Sequence, residues 1–267
     1  DIVTYTLAGL VDPEKGWGFA GDTFECMKLL EKFGQPAWFN LGDRDLGTHI
    51  FRTQALRQGR RPTEVADAIR RALGVRTRIL PMTDDPVMTY VLVGNGPTHA
   101  LHFQEFLVQR KAADEIRGIE YRGSARAHPT PEVLTAIQEA EAIILAPSNP
   151  VASIGPILAV PGIREALRTT QAPMVAISPV VGGQSLKGPT DKFLRWAKVE
   201  VSPLGVARLY HSALNGLEGM LIDTVDAGEA SRIEALGVRV RVEEIVMRGP
   251  EEKRQVARMA LKFLEAL

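Results

Sequence analysis

The chain has 267 residues, room for one large domain or two small ones at about 150 residues per domain. Lys and Arg number 32 and Asp and Glu 32, a formal net charge of zero, which speaks against nucleic-acid binding through a strongly basic face. A hydrophobic share of 45% with 24 glycines and 17 prolines excludes the disordered and collagen-like classes and gives material for a self-sufficient core.

Cys26 is the only cysteine, so neither an internal disulfide nor a multi-cysteine zinc site can form. No apolar run approaches the roughly 20 residues needed to cross a bilayer, and no secretory leader is visible, so the expected location is cytoplasmic with no membrane partner. The chain opens at Asp1 inside what reads as an apolar helix, and the expectation is that a further segment precedes it.

Residues 1–75 read as helical. Asp22-Thr23-Phe24-Glu25 has the capping-box pattern, followed by an apolar face of Phe24, Met27, Leu29, Leu30 and Phe33 and a stop at Gly34. Ile50, Leu56, Val65, Ala68, Ile69 and Leu73 continue the helical spacing. Residues 76–82 and 88–93 read as strands flanking the turn at 83–86. Residues 94–97 break the chain, and 99–108 is expected to pair back as a hairpin, putting His102, Gln104 and Phe106 on one strand face. From 131 onward helices and strands alternate. Helices are expected at 131–140, 162–169, 205–214, 227–236 and 251–266, and strands at 142–146, 173–178, 220–224 and 238–246. Continuously apolar strands at 142–146 and 174–177 suit the centre of a parallel sheet. The expected fold class is α/β. It is a Rossmann-like, doubly wound, mostly parallel sheet with a helical and hairpin insertion, read as one domain with a helical and hairpin part at 1–130 and an α/β part at 131–267.

Ligands of such sheets bind beyond the carboxyl ends of the strands. The loop 147–156 carries three prolines with Ser148, Asn149 and Ser153. It is either a rigid connection or a cradle donating to phosphate or base edges. The glycine-rich stretch 179–189 with Lys187 reads as an anion loop or a plain surface loop, and it is no Walker A pattern. Residues 40–49 hold Asn40, Asp43, Arg44, Asp45, Thr48 and His49. Asp43 either caps its helix or, with Asp45, holds Mg²⁺ through oxygen. Asp84 and Asp85 read as turn residues, or as further acidic contacts if they face a cleft. His49, His99, His102, His128 and His211 show no metal spacing, and no Gly-x-Ser-x-Gly or GxGxxG occurs. Cys26, on the expected core face of its helix, is a poor nucleophile.

Four stretches in this order make the reading specific: 41–49 (Leu-Gly-Asp-Arg-Asp-Leu-x-Thr-His), 79–87 (Ile-Leu-Pro-Met-Thr-Asp-Asp-Pro-Val), 102–104 (His-Phe-Gln) and 147–158 (Pro-Ser-Asn-Pro-x-x-Ser-Ile-Gly-Pro-Ile-Leu). With Ser178-Pro179 and Lys187-Gly188-Pro189, the chain resembles the 2-phospho-L-lactate transferase family of coenzyme F-420 biosynthesis along essentially its whole length. The resemblance implies transfer of a phospho-acid from a guanylylated diphosphate donor to the ribityl hydroxyl of the deazaflavin FO. GMP leaves, Mg²⁺ is required, and the enzyme is often a homodimer. It implies donors derived from lactate, enolpyruvate or glycerate. Family members carry a strand and a Gly-Gly-x-Gly loop ahead of the acidic residue that Asp1 matches, and this sequence lacks both.

By the same resemblance Asp1 is the metal ligand and an FO contact, with Asn40 a second FO contact. Asp43, Arg44, Thr48 and His49 line the junction between the substrates, Arg44 as an anion clamp. Ser148, Asn149 and Ser153 hold the guanylyl half. Asp45, Asp84, Asp85, His102, Gln104, Ser178 and Lys187 complete the substrate contacts. The competing class is a nucleotide-sugar-binding regulator of the same fold, which should lack the 42–49 and 102–104 stretches. A dinucleotide-dependent dehydrogenase is disfavoured by the missing fingerprint.

Overall fold

A computed structural model describes residues 1–94 and 96–267; of the expected break at 94–97, Asn95 lies outside the described residues. The chain divides into two compact units, Asp1–Asp84 and Asp85–Leu267. No helix among the described residues is long and apolar enough to cross a membrane.

The first unit is helical: α1 (Ile2–Leu7), α2 (Glu25–Lys32), α3 (Asp43–Arg57) and α4 (Pro62–Ala72). α3 and α4 pack through Ala55, Val65 and Ile69, with Leu73 against them. Tyr5 of α1 is buried, its ring 4.2 Å from that of Phe19. The expected apolar face of α2 is mostly solvent: Met27 alone in that helix is buried, Leu29 and Phe33 are exposed, and so is Cys26. The expected strand at 76–82 does not form. The Arg70 guanidinium binds the carbonyls of Val75 and Arg76, at 2.7 and 3.3 Å, and turns the chain back on α4 before any sheet partner can take those groups.

The second unit holds two sheets. β1 (Met88–Val93), β2 (His99–His102) and β3 (Ile116–Arg122) form an antiparallel sheet in the order β2-β1-β3. The expected strand to 108 stops at His102, and Glu105–Gln109 is a π-helical turn. Phe106 is the reason. It inserts, fully buried, into an apolar cluster with Val151, Ala152 and Phe193, which a strand alternating with His102 would prevent.

The chain then alternates as expected, through α5 (Pro131–Gln138), β4 (Ile143–Leu145), a π-helical turn (Pro150–Ile154), α6 (Gly155–Leu158), α7 (Ile163–Thr169) and β5 (Met174–Ile177). It continues with a small hairpin β6 (Val180–Val181) and β7 (Gln184–Ser185), α8 (Thr190–Trp196), α9 (Pro203–Leu214) and β8 (Gly219–Asp223). A 3₁₀ turn (Thr224–Glu229) and α10 (Ala230–Glu234) replace the single helix expected at 227–236, before β9 (Arg239–Glu243) and α11 (Pro250–Leu264).

β4, β5, β8 and β9 form a parallel sheet in that order. α11 lays Val256, Met259, Ala260 and Phe263 over Val175, Ile177 and Leu221. The opposite face, Met174, Ala176, Met220 and Ile222, is equally buried. This helix-flanked parallel sheet is the α/β class expected from the sequence. β5 is central, but β4 is an edge strand among the described residues, with Ile144 39% exposed.

Candidate functional site

In the first unit the site-bearing residues gather at the start of α3. Two aspartates exchange caps there. Asp43, expected to cap its own helix, instead accepts from the Thr23 hydroxyl at 2.6 Å and from the N–H groups of Glu25 and Cys26, so it caps α2. Asp22, expected to open α2, accepts from the N–H of Arg44 at 3.0 Å and more loosely from that of Asp45, so it caps α3. The Thr23 hydroxyl and the backbone donors hold the Asp43 carboxyl below its usual range, so it stays charged. The Arg44 guanidinium reaches the carbonyl of Ala20 at 3.3 Å from an exposed position.

One turn further on, Asp45 is buried and accepts the Tyr5 hydroxyl at 2.8 Å. Nε2 of His49 lies 3.7 Å from Oδ1 of Asp45 and 4.0 Å from Oδ2 of Asp1. Arg52 grips both oxygens of Asp1, one through Nη1 at 3.0 Å and the other through Nη2. Asp45, His49 and Arg52 are spaced i, i+4, i+7 and share one face of α3. Thr48 is half-buried on the same helix, and Asn40 is exposed in the loop before it. Asp1, Thr4 and Arg52 line a cavity of about 290 Å³ whose remaining wall is apolar, with Leu56, Val65 and Ile69.

This arrangement has consequences for a cation. Among the described residues no group of three or more His, Cys, Asp or Glu stands ready to hold a metal. Mg²⁺, however, is commonly held by one or two carboxylates with substrate phosphates and water completing the shell. Asp1 offers such a carboxylate, part-exposed beside His49 and its Asp45 partner, with both of its oxygens bound by Arg52. Asp84 does not join this group. It accepts from Thr63 N–H and hydroxyl, both at 2.7 Å, and from Arg61, and so caps α4.

In the second unit the loop 147–156 leaves the carboxyl end of β4. Asn149 Oδ1 accepts from the N–H groups of Val151 and Ala152, both at 2.9 Å, so its carbonyl oxygen is committed to its own loop and its amide NH₂ is the group left to face a ligand. Ser148 and Ser153 are half-buried on either side. The apolar cluster beneath this loop contains Phe106 and Phe193 as well, so it also anchors the His102–Gln104 segment and α8. Gln104 donates its N–H to Nδ1 of His102 at 3.3 Å, and the His102 ring stands edge-on to Tyr90.

Beyond β5, Ser178 is fully buried and its hydroxyl is used in a turn, donating to the Val180 carbonyl at 2.7 Å. The stretch read as an anion loop or a plain surface loop is a hairpin with Gly182 and Gly183 at its tip, both with positive φ. The Gly182 N–H is already taken by both oxygens of Asp226, at 3.1 and 3.0 Å. Lys187 is exposed in the turn before α8. Asp85 accepts from the N–H of His128 at 2.8 Å and stands 3.4 Å from its ring.

Four polar residues at these places escaped the sequence reading. Arg52 was readable from the spacing 45, 49, 52 on one helix face. Asp226 and Asp223, which accepts from Val225 and Ile245 N–H at the end of β8, could have been suspected from the strand-end rule. Tyr5 gave no signal, because a buried tyrosine in an apolar helix looks like core.

Comparison with known proteins then adds an independent line. The family model for 2-phospho-L-lactate transferase CofD matches residues 1–254. A protein of Streptomyces griseus named phosphoenolpyruvate transferase is 44% identical over 267 residues, covering 99% of this chain and 83% of its own length. Proteins of the same name from Streptomyces coelicolor and Mycolicibacterium smegmatis are 43% and 38% identical; they match 99% and 98% of this chain over 83% and 80% of their own lengths. Among solved structures, a Bacillus halodurans protein superposes with a TM-score of 0.62 at 17% identity, covering 97% of this chain and 82% of its own, which bears on the fold alone.

Proposed function

The chain belongs to the 2-phospho-L-lactate transferase family, and from that premise we propose that it transfers a phospho-acid from a guanylylated diphosphate to the deazaflavin FO, releasing GMP. The enolpyruvyl donor is the favoured one, since relatives 38–44% identical bear the name phosphoenolpyruvate transferase. Lactate- and glycerate-derived donors are the alternatives; they differ by a methyl or a hydroxymethyl group, changes that a pocket separates by only about 1–3 kcal/mol. The enzyme so proposed is cytoplasmic and homodimeric.

The observation that carries the reading is His49 flanked by the carboxylates of Asp45 and Asp1, beside a cavity with an apolar wall. In the proposed step the FO ribityl oxygen forms a bond to the phosphorus bearing the acid. The bond from that phosphorus to the bridging oxygen breaks, and the oxygen departs on GMP. His49 takes the hydroxyl proton, and Asp45 steadies the imidazolium that results. Arg44 and Arg52 supply positive charge to the donor oxygens, as phosphoryl transfer rests largely on positioning and charge neutralisation. When bound, Mg²⁺ neutralises the diphosphate and eases GMP departure; Asp1 is its holder in this proposal, with Asp45 nearby. Ser148, the Asn149 amide and Ser153 hold the guanylyl half.

The test is a transfer assay with FO, Mg²⁺ and each of the three guanylylated donors, read by mass spectrometry. A deazaflavin heavier by one phospho-acid, with stoichiometric GMP, supports the reading and names the donor. Tight guanine-nucleotide binding with no product from any donor overturns it in favour of a regulatory role.

A further inference from the structure

We propose that Tyr121, near the end of β3, is the positioning residue that holds the 147–156 loop in the shape that receives the guanylyl half of the donor; this rests on the reading of that loop given above. Its hydroxyl donates to the carbonyl of Val151. Asn149 Oδ1 meanwhile accepts from the Val151 N–H, so the first turn of the loop is gripped at both ends of one residue. The carbonyl needs an outside partner because Pro156, five residues on, has no N–H for the π-helical bond.

Space confirms the fit. A Cβ at Gly155 would lie 2.2 Å from the Tyr121 hydroxyl and 3.0 Å from the ring carbon that bears it, so glycine there makes room for the peg. Burial pushes the Tyr121 hydroxyl up to about 12, which keeps it a donor at any working pH. The π-helical turn packs Val151 and Ala152 on Phe106 and Phe193, so cluster and peg together fix where Ser148, Asn149 and Ser153 stand. Tyr121 does not touch the donor in this scheme; it acts through the loop.

The experiment measures GMP binding by titration calorimetry, and KM and kcat for the guanylylated donor, in the full chain carrying Tyr121→Phe, Gly155→Ala, both together, or Asn149→Ala. Tyr121→Phe is expected to weaken GMP by about three- to tenfold, as loss of one hydrogen bond would. It should raise KM for the donor by a similar factor while leaving KM for FO and kcat at saturating donor within twofold. Gly155→Ala is expected to do the same by pushing the hydroxyl away. The double variant should lose less than the sum of the two single ones, because the closest clash is with the oxygen that phenylalanine lacks, while the ring carbon at 3.0 Å and the Pro150 carbonyl at 3.3 Å remain. Additive losses, or wild-type GMP binding in Tyr121→Phe while Asn149→Ala binds weakly, overturn the inference and leave the loop reading standing. Unchanged GMP affinity in all four variants overturns both.

Discussion

Tyr5 donates its hydroxyl to Oδ1 of Asp45 at 2.8 Å, and both side chains are buried although they lie 40 residues apart. The same oxygen faces Nε2 of His49. Tyr5 therefore fixes the carboxylate that steadies the proposed base. Tyr5→Phe removes a hydrogen bond to a charged acceptor, a loss of about 1.5–3 kcal/mol of stability measurable by urea unfolding. Turnover should fall at least tenfold with little change in donor KM, since the variant disturbs the orientation of His49 and leaves the donor contacts in place. Wild-type turnover in a destabilised variant would confine Tyr5 to packing.

Asp22 and Asp43 make a second prediction. Each caps the helix that the other's segment belongs to, which latches α2 to the first turn of α3, where Arg44 and Asp45 stand. Asp22→Ala should cost about 1 kcal/mol, the usual worth of an N-cap. Gly42→Ala should mimic it, because a Cβ there would lie 2.0 Å from Oδ2 of Asp22. Combined, the two should cost less than their sum, as both act on the Asp22 carboxylate and only the Cβ of residue 22, at 3.0 Å, is left against the added methyl. Additive losses in thermal unfolding would mean that Gly42 acts independently.

That cap exchange also marks the limit of what the sequence disclosed. Asp22 and Asp43 both look like caps, and both are; which helix each caps depends on a contact across about 20 residues that no local pattern encodes. The parallel strands were legible because their burial on both faces demands unbroken apolar runs. β4 shows the weakness of that signal, since an apolar run does not distinguish a central strand from an edge. The His102–Phe106 alternation misled for a related reason: Phe106 was given the polar face, and its burial bent the chain into a π-helical turn instead. On the site, α3 was legible as a polar cluster. The partners that orient it, Tyr5 and Arg52, lie on another helix or two turns on, with no short motif to flag them.

Asp1 and Arg52 supply a third prediction. The guanidinium binds both carboxylate oxygens, so a cation at Asp1 must compete with it. Asp1→Asn should cut turnover by a factor of 100 or more, on the order expected when a charge-neutralising contact is lost, while FO binding by fluorescence titration changes less than threefold. Equal loss of turnover and FO affinity would remove the metal role from Asp1. Chelation with EDTA should abolish turnover in the wild type and restoration with Mg²⁺ should return it.

Asp226 supplies the last. It is buried beside Asp223 and Glu229, and burial, the larger effect, raises its pKa above the ordinary 3.8 despite the Gly182 N–H that favours the charged form. A carboxyl with a raised native pKa binds its proton more tightly folded than unfolded. Stability therefore falls as pH rises from the ordinary carboxylate value through the native one, and the charged form is carried at a cost at neutral pH. Asp226→Asn keeps an oxygen for Gly182 and discards the charge. The variant should unfold at a higher temperature than the wild type at pH 7, with the gain shrinking as acidification lets the wild-type carboxyl take up its proton. A gain that grows on acidification, or a loss at pH 7, would mean that the charge of Asp226 stabilises the β6–β7 hairpin, as it would if Gly182 needed a full carboxylate or if a cation were held there.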